Sequence, residues 1–160
     1  MRIVFAALGV LCGLLLVDDA RANSFVFTKS QVVAELPVTW RIEDQGENVT
    51  FSTKDKTVAV SLAWAGKDLD KAWMILISEV NKVVTGLKVT KKPGKTGAFK
   101  GFTATGEGKL GKIDVHCYLS AVMTPGGAMT VFMLHPIGKE KPHKTAIAQF
   151  LNGLAPARMR

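Results

Sequence analysis

The sequence predicts an α+β fold, a largely antiparallel sheet with a long central helix and a C-terminal helix packed on it. Three observations carry that reading. Apolar and polar residues alternate through three short runs between positions 38 and 64, joined by tight turns. A stripe of helical spacing then replaces the alternation between Asp68 and Gly86. Alternation returns between Phe99 and His135, and a second helical stripe closes the chain.

The chain has 160 residues, and positions 1–22 read as an export signal peptide. Met1 and Arg2 give a positive start, and positions 3–17 are apolar. Ala20-Arg21-Ala22 then presents small residues at the two positions a signal peptidase reads, which sets the cut before Asn23. The apolar run is short for a bilayer span and is closed by Asp18 and Asp19. Cys12 follows Leu11 rather than a small residue, and the run continues past it, which argues against a lipid-modified cysteine. The remainder, 23–160, suits a single α+β domain. The expectation is a periplasmic or secreted protein with no stable membrane insertion once the leader is gone. Cys117 is then the single cysteine, so stability must come from an apolar core.

Within the domain, Phe25-Val26-Phe27 is a short apolar stretch, and 30–35 reads as one turn of helix broken by Leu36-Pro37. Val38, Trp40 and Ile42 mark the buried side of a first strand, Val49 and Phe51 of a second, and Val58, Val60, Leu62 and Trp64 of a third. Turns at 45–48 and 54–56 make these an antiparallel meander. Asp68 is placed to cap a helix and Gly86 to end it, with Leu69, Ala72, Trp73, Leu76, Val80, Val83 and Val84 on one stripe. Met74 and Ile75 lie off that stripe, beside polar residues, and mark a candidate exposed spot.

Four antiparallel strands follow. Leu87-Lys88-Val89-Thr90 starts the first, and 93–97 reads as a flexible basic loop. Positions 99–106 pair with 112–123 across a glycine-rich turn, and Pro125-Gly126-Gly127 turns the chain into 129–135. After a loop at 136–141, Pro142 suits the first turn of a last helix, whose Ile147, Phe150, Leu151 and Leu154 dock on the sheet. Ala155-Pro156 stops that helix, and 158–160 reads as a frayed tail.

Catalytic patterns fail one by one. The run from Gly106 to Ile113 nearly spells a phosphate-binding loop, but Ile113 stands where a Ser or Thr must bind magnesium. A strand, not a helix, follows it, so no helix N-terminus supplies the cradle of backbone donors. His116 and Cys117 are neighbours on a strand and point to opposite faces. His135 approaches Cys117 only across strands, and an apolar face raises the thiol pKa and leaves it inert. His116, His135 and His143 lack metal-ligand spacing, and no carboxylates form a calcium loop. Met123, Met129 and Met133 are read as strand core rather than copper ligands. Asn48-Val49-Thr50 is a formal glycosylation site in a tight turn. No catalytic residue, metal site or cofactor is expected.

Charge is the more informative signal. The leader's two basic residues balance its two acidic ones, so the exported part carries the whole formal net charge of +8. Nearly all its cations are lysines, hydrated point charges rather than the arginine forks that read bases and phosphates specifically. Lys88, Lys91, Lys92, Lys95 and Lys100 form the densest group, with Lys109 and Lys112 expected nearby across a hairpin. They are the candidate contact residues for an envelope protein or an anionic surface. Lysine also protects exposed strand edges, which competes with the contact reading. Nucleic acid is not an expected partner, since the chain is exported and shows no nucleic-acid-binding motif.

With Leu36-Pro37-Val38-Thr39-Trp40 opening the meander and Ile147-Ala148-Gln149-Phe150-Leu151 near the end, the order of elements resembles the PsbP-like α/β/α sandwich. That group includes the extrinsic protein of photosystem II, a Ran-binding nuclear transport factor and periplasmic proteins of the DcrB type. The resemblance spans nearly the whole exported part and implies an accessory or binding role. The family has no shared catalytic residues to carry over, and the metal-site histidines of some plant members have no assignable match. The expected function is therefore an exported, non-enzymatic accessory or binding protein of the bacterial envelope. Its alternative is a small-ligand carrier with a pocket between the long helix and the sheet, near Trp40, Trp64 and Trp73.

Overall fold

The alternating runs become strands, and they sort into two sheets. The computed structural model describes residues 24–37 and 39–157. The leader, Val38 and the tail at 158–160 lie outside the described residues. In chain order the elements are β1 (Ser24–Phe27), β2 (Val32–Glu35), β3 (Arg41–Asp44), β4 (Asn48–Ser52), β5 (Ala59–Trp64) and α1 (Leu69–Val83). Then come β6 (Lys92–Thr96), β7 (Phe99–Leu110), β8 (Ile113–Thr124), β9 (Gly127–Pro136), α2 (Lys144–Asn152) and β10 (Ala155–Pro156). The main sheet has seven strands in the order β3-β4-β5-β9-β8-β7-β6, and every neighbouring pair is antiparallel.

Both faces of this sheet are covered, and β9 shows it most plainly. Met129, Val131 and Met133 join one buried cluster with Phe51, Val60, Leu62 and Phe150 of α2. Ala128, Phe132 and Leu134 join the other, with Leu76 and Val80 of α1 and Leu119 of β8. A strand sandwiched between two layers has no solvent-facing side, which is why 128–134 reads as an apolar run broken only by the buried Thr130. The structure is thus an α+β sandwich, with α1 on one face and α2 on the other.

The expected helical turn at 30–35 is instead a short 3₁₀ turn (Thr28–Ser30) followed by β2, with Gln31 at φ 54° between them. Val32 and Ala34 are buried against the α2-side cluster, and a strand delivers such alternate residues to one face. The segment after α2 also does more than stop the helix. Ala155 and Pro156 pair with Val33 and Val32, completing a small sheet in the order β1-β2-β10.

Helix α1 forms as its stripe requires. The Lys71 backbone N–H donates to Asp68 Oδ1 at 2.9 Å, which caps the first turn, and Ala72, Trp73, Leu76 and Val80 are buried. Val84 is already extended, so Gly86, at φ 71°, turns the chain just beyond the helix end. Of the two residues off the stripe, Met74 is 63% exposed and Ile75 is half-buried. Among the described residues no helix is long and apolar enough to cross a membrane.

The main departure lies at β6. Residues 92–96 are an edge strand paired with β7, not a flexible loop, whereas Leu87-Lys88-Val89-Thr90 forms no strand. Proline and lysine are tolerated at an edge, where one side of the ladder faces solvent. The 87–89 segment instead crosses over β7. A Cβ at Gly106 would meet the Lys88 carbonyl oxygen at 2.6 Å, and one at Gly108 would meet the Val84 side chain at 2.6 Å. Gly106 and Gly108, within the run that imitates a phosphate-binding loop, let this segment pass. The hairpin turn itself is tighter than expected, Gly111-Lys112, with Gly111 at φ 61°.

Candidate functional site

Position on the sheet separates the five candidate lysines, all of them exposed. Phe99 is buried on the α2 face, so the next residue, Lys100, projects to the α1 face. Lys95 pairs directly with Lys100 across β6 and β7. One step beyond the Gly101–Val122 pair, the same register sets Lys100 beside Met123 of β8, which is 41% exposed. Neither Lys95 nor Lys100 has a carboxylate partner among the described residues. Lys92 belongs to the opposite face of β6. Lys91 is occupied: its Nζ lies 2.5 Å from Asp70 Oδ1 and 3.6 Å over the Phe102 ring.

The group therefore condenses to the Lys95–Lys100 pair, with Lys88 some way along β7 near Gly106. Lys109 and Lys112 are not neighbours of it. They lie at the other end of the twelve-residue β7, roughly 30 Å away, where Lys109 Nζ is 2.8 Å from Asp114. Lys67 is added at the near end, a residue that sequence spacing does not connect to the others. Ala65 N–H donates to Ala128 O and Ala128 N–H to Gly66 O, both at 2.8 Å, and Ala128 pairs with Met123. Exposed Lys67 follows at once.

Among the described residues no cysteine–histidine pair forms. Cys117 is fully buried on the α1 face, and burial pushes its thiol up to about 11. His135 faces the other way. It pairs with His116, and the two rings stack with centroids 5.3 Å apart. His135 Nδ1 lies 3.2 Å from the Pro136 carbonyl oxygen and 3.8 Å from Glu140 Oε2. His143 pairs instead with Asp55, its Nε2 3.1 Å from Oδ2. Among the described residues no three His, Cys, Asp or Glu side chains gather as a metal site.

Asp55 organises the other end of the sheet. It accepts from the Thr53 hydroxyl at 2.5 Å and the Thr57 backbone N–H at 3.0 Å, and these bonds, helped by His143, hold its carboxyl well below the usual carboxylate range. A depression of about 360 Å³ lies here, lined by Asp55, Lys56, Thr57, Pro136, Lys139, Pro142 and His143.

The three tryptophans do not line one pocket. Trp40 stacks on Phe150 at 5.4 Å beneath α2, whereas Trp73 is buried in the α1 layer in an edge-to-face pair with Phe102. Trp64 is half-buried and donates its Nε1–H to Gly126 O at 3.0 Å, with the Lys29 ammonium over its ring. The sheet itself separates Trp40 from Trp73, which removes the single pocket on which the carrier alternative was drawn.

This two-faced arrangement defines an α+β sandwich class that is known from solved structures. Neither a family model nor a curated protein matches the chain. Cyanobacterial PsbP from Synechocystis shares the fold with a TM-score of 0.58 and 14% identity, over 92% of this chain and 99% of that one. The Ran-binding protein Mog1p of Saccharomyces cerevisiae does so with a TM-score of 0.52 and 9% identity, over 86% of this chain and 96% of its own. A protein from Bacteroides thetaiotaomicron matches with a TM-score of 0.58 and 14% identity over 84% of this chain. Of that protein's length only 48% is covered, so the present chain spans about half of it. The chain has the PsbP-like fold.

Proposed function

We propose that this protein is an exported, non-enzymatic accessory protein of the bacterial envelope, which binds a protein partner or an anionic surface through its lysines. The observation that carries the reading is the Lys95–Lys100 pair, two exposed like charges set directly opposite each other with no carboxylate between them. Such a pair is unfavourable in isolation and gains from an anion brought to it. A fold neighbour described as Ran-binding makes a binding role familiar for this architecture. The leader read in residues 1–22 supplies the compartment, with 23–160 acting as one domain.

The test compares two variants of equal net charge. Lys95→Glu/Lys100→Glu reverses the pair, and Lys54→Glu/Lys139→Glu reverses two exposed lysines elsewhere. On an immobilised anionic polymer the first variant should elute at markedly lower salt than the second. Equal elution would show that only net charge matters and would remove the pair from the reading.

A further inference from the structure

We infer that the row Lys95–Lys100–Met123, with Lys67 at its end, is a docking face for the surface of an anionic phospholipid membrane. The inference rests on the lysine reading above and names the partner. Three neighbouring strands present these residues side by side on the α1 face, two cations followed by an apolar side chain that is 41% exposed. Asp70 is engaged by Lys91, and Asp68 caps α1.

The chemistry of the row distinguishes lipid from protein. Protein interfaces are depleted in lysine and enriched in aromatic residues and arginine. This row has neither an aromatic residue nor an arginine. Lysine is a hydrated point charge on a flexible stem, suited to mobile phosphates rather than to one fixed carboxylate. Methionine is flexible enough to settle among headgroups and acyl chains without a preformed pocket. Cations with a shallow apolar contact are what a negatively charged leaflet attracts.

The experiment is co-sedimentation of the purified protein with phosphatidylcholine vesicles, with and without phosphatidylglycerol, at low and raised salt. Residues 1–22 are the same in every variant, so any partitioning they cause appears equally on neutral vesicles. The expected result is binding that needs phosphatidylglycerol and weakens with salt. Lys95→Glu/Lys100→Glu should lower it at least about tenfold, Met123→Ser by a smaller factor, and Lys54→Glu/Lys139→Glu far less than either. Circular dichroism confirms that each variant is folded. No preference of the parent protein for phosphatidylglycerol would overturn the inference, as would equal losses in the two double variants. Polyglutamate measured alongside separates the two levels. If the Lys95/Lys100 variant loses polyglutamate binding while the parent ignores the vesicles, the lysine pair serves an acidic protein and the lipid assignment falls alone.

Discussion

At the scale of single residues, Cys117 and the histidines show how much turns on strand register. The alternation of Ile113, Val115, Cys117, Leu119 and Ala121 places the thiol on a buried face, although Ile113, at the start of the strand, is exposed. Its pKa is raised from 9.0 to about 11 by burial, so the native state favours the protonated thiol. That preference adds stability in full below about pH 9 and is lost as pH rises toward 11. Cys117→Ala should therefore show a shallower loss of stability between those pH values, measured by denaturant titration. In a Cys12→Ala background, a thiol reagent at pH 8 should leave Cys117 of the native protein unmodified and label it quickly once unfolded. Rapid labelling of the native protein would contradict the burial. The partner of His135 was harder to read. A two-residue turn at Pro125-Gly126 pairs it with His116, whereas a three-residue turn would set it opposite Cys117, on the wrong face. Pairing across a hairpin follows from the turn length, and composition alone does not separate two residues from three.

At the scale of elements, legibility followed the strength of the local signal. Helix α1 carries its own cap and stripe, so it was readable almost to the residue. Strand β6 is two lysines, a proline, a glycine and a threonine, and its place in the sheet comes from the edge that β7 offers and from the bonds of Thr96 to Tyr118 and Ser120. The β2–β10 pairing joins the two ends of the domain and leaves no local trace. The anchor of α2 belongs to the same class, since Asp55 and His143 are 88 positions apart. That anchor is testable. The Thr53 hydroxyl, the Thr57 backbone and His143 favour the ionised carboxylate of Asp55 and hold its pKa down. A depressed carboxylate contributes stability above its unfolded pKa, about 3.9, and that contribution is lost as pH falls below it. Asp55→Asn keeps an acceptor oxygen and removes the titration. Its melting temperature should fall less steeply than the parent's from about pH 4 downward. Parallel acid profiles would mean that the bonds to Asp55 form equally well with the neutral acid.

At the scale of the whole molecule, the sequence pointed to two helices on a sheet and left open which face each would cover. The answer is written in β9, whose successive residues serve opposite layers, Val131 the α2 side and Phe132 the α1 side. Because these neighbours share one backbone, neither layer can loosen without disturbing the strand that the other packs on. The two clusters should therefore melt as one cooperative unit, although the sheet keeps their side chains apart. Trp40 and Trp73 are native reporters, one in each layer. Fluorescence of Trp73→Phe then follows the α2 side, and that of Trp40→Phe the α1 side, with Trp64 common to both. Within each variant, the fluorescence midpoint in denaturant should coincide with that from far-ultraviolet circular dichroism. Phe132→Ala should cost about 3–5 kcal/mol, and it should move the midpoint reported by Trp40 as far as that reported by Trp73. A Trp40 midpoint that stays in place while Trp73 moves would mean that the α2 layer folds on its own, with β9 as a partition rather than a coupling.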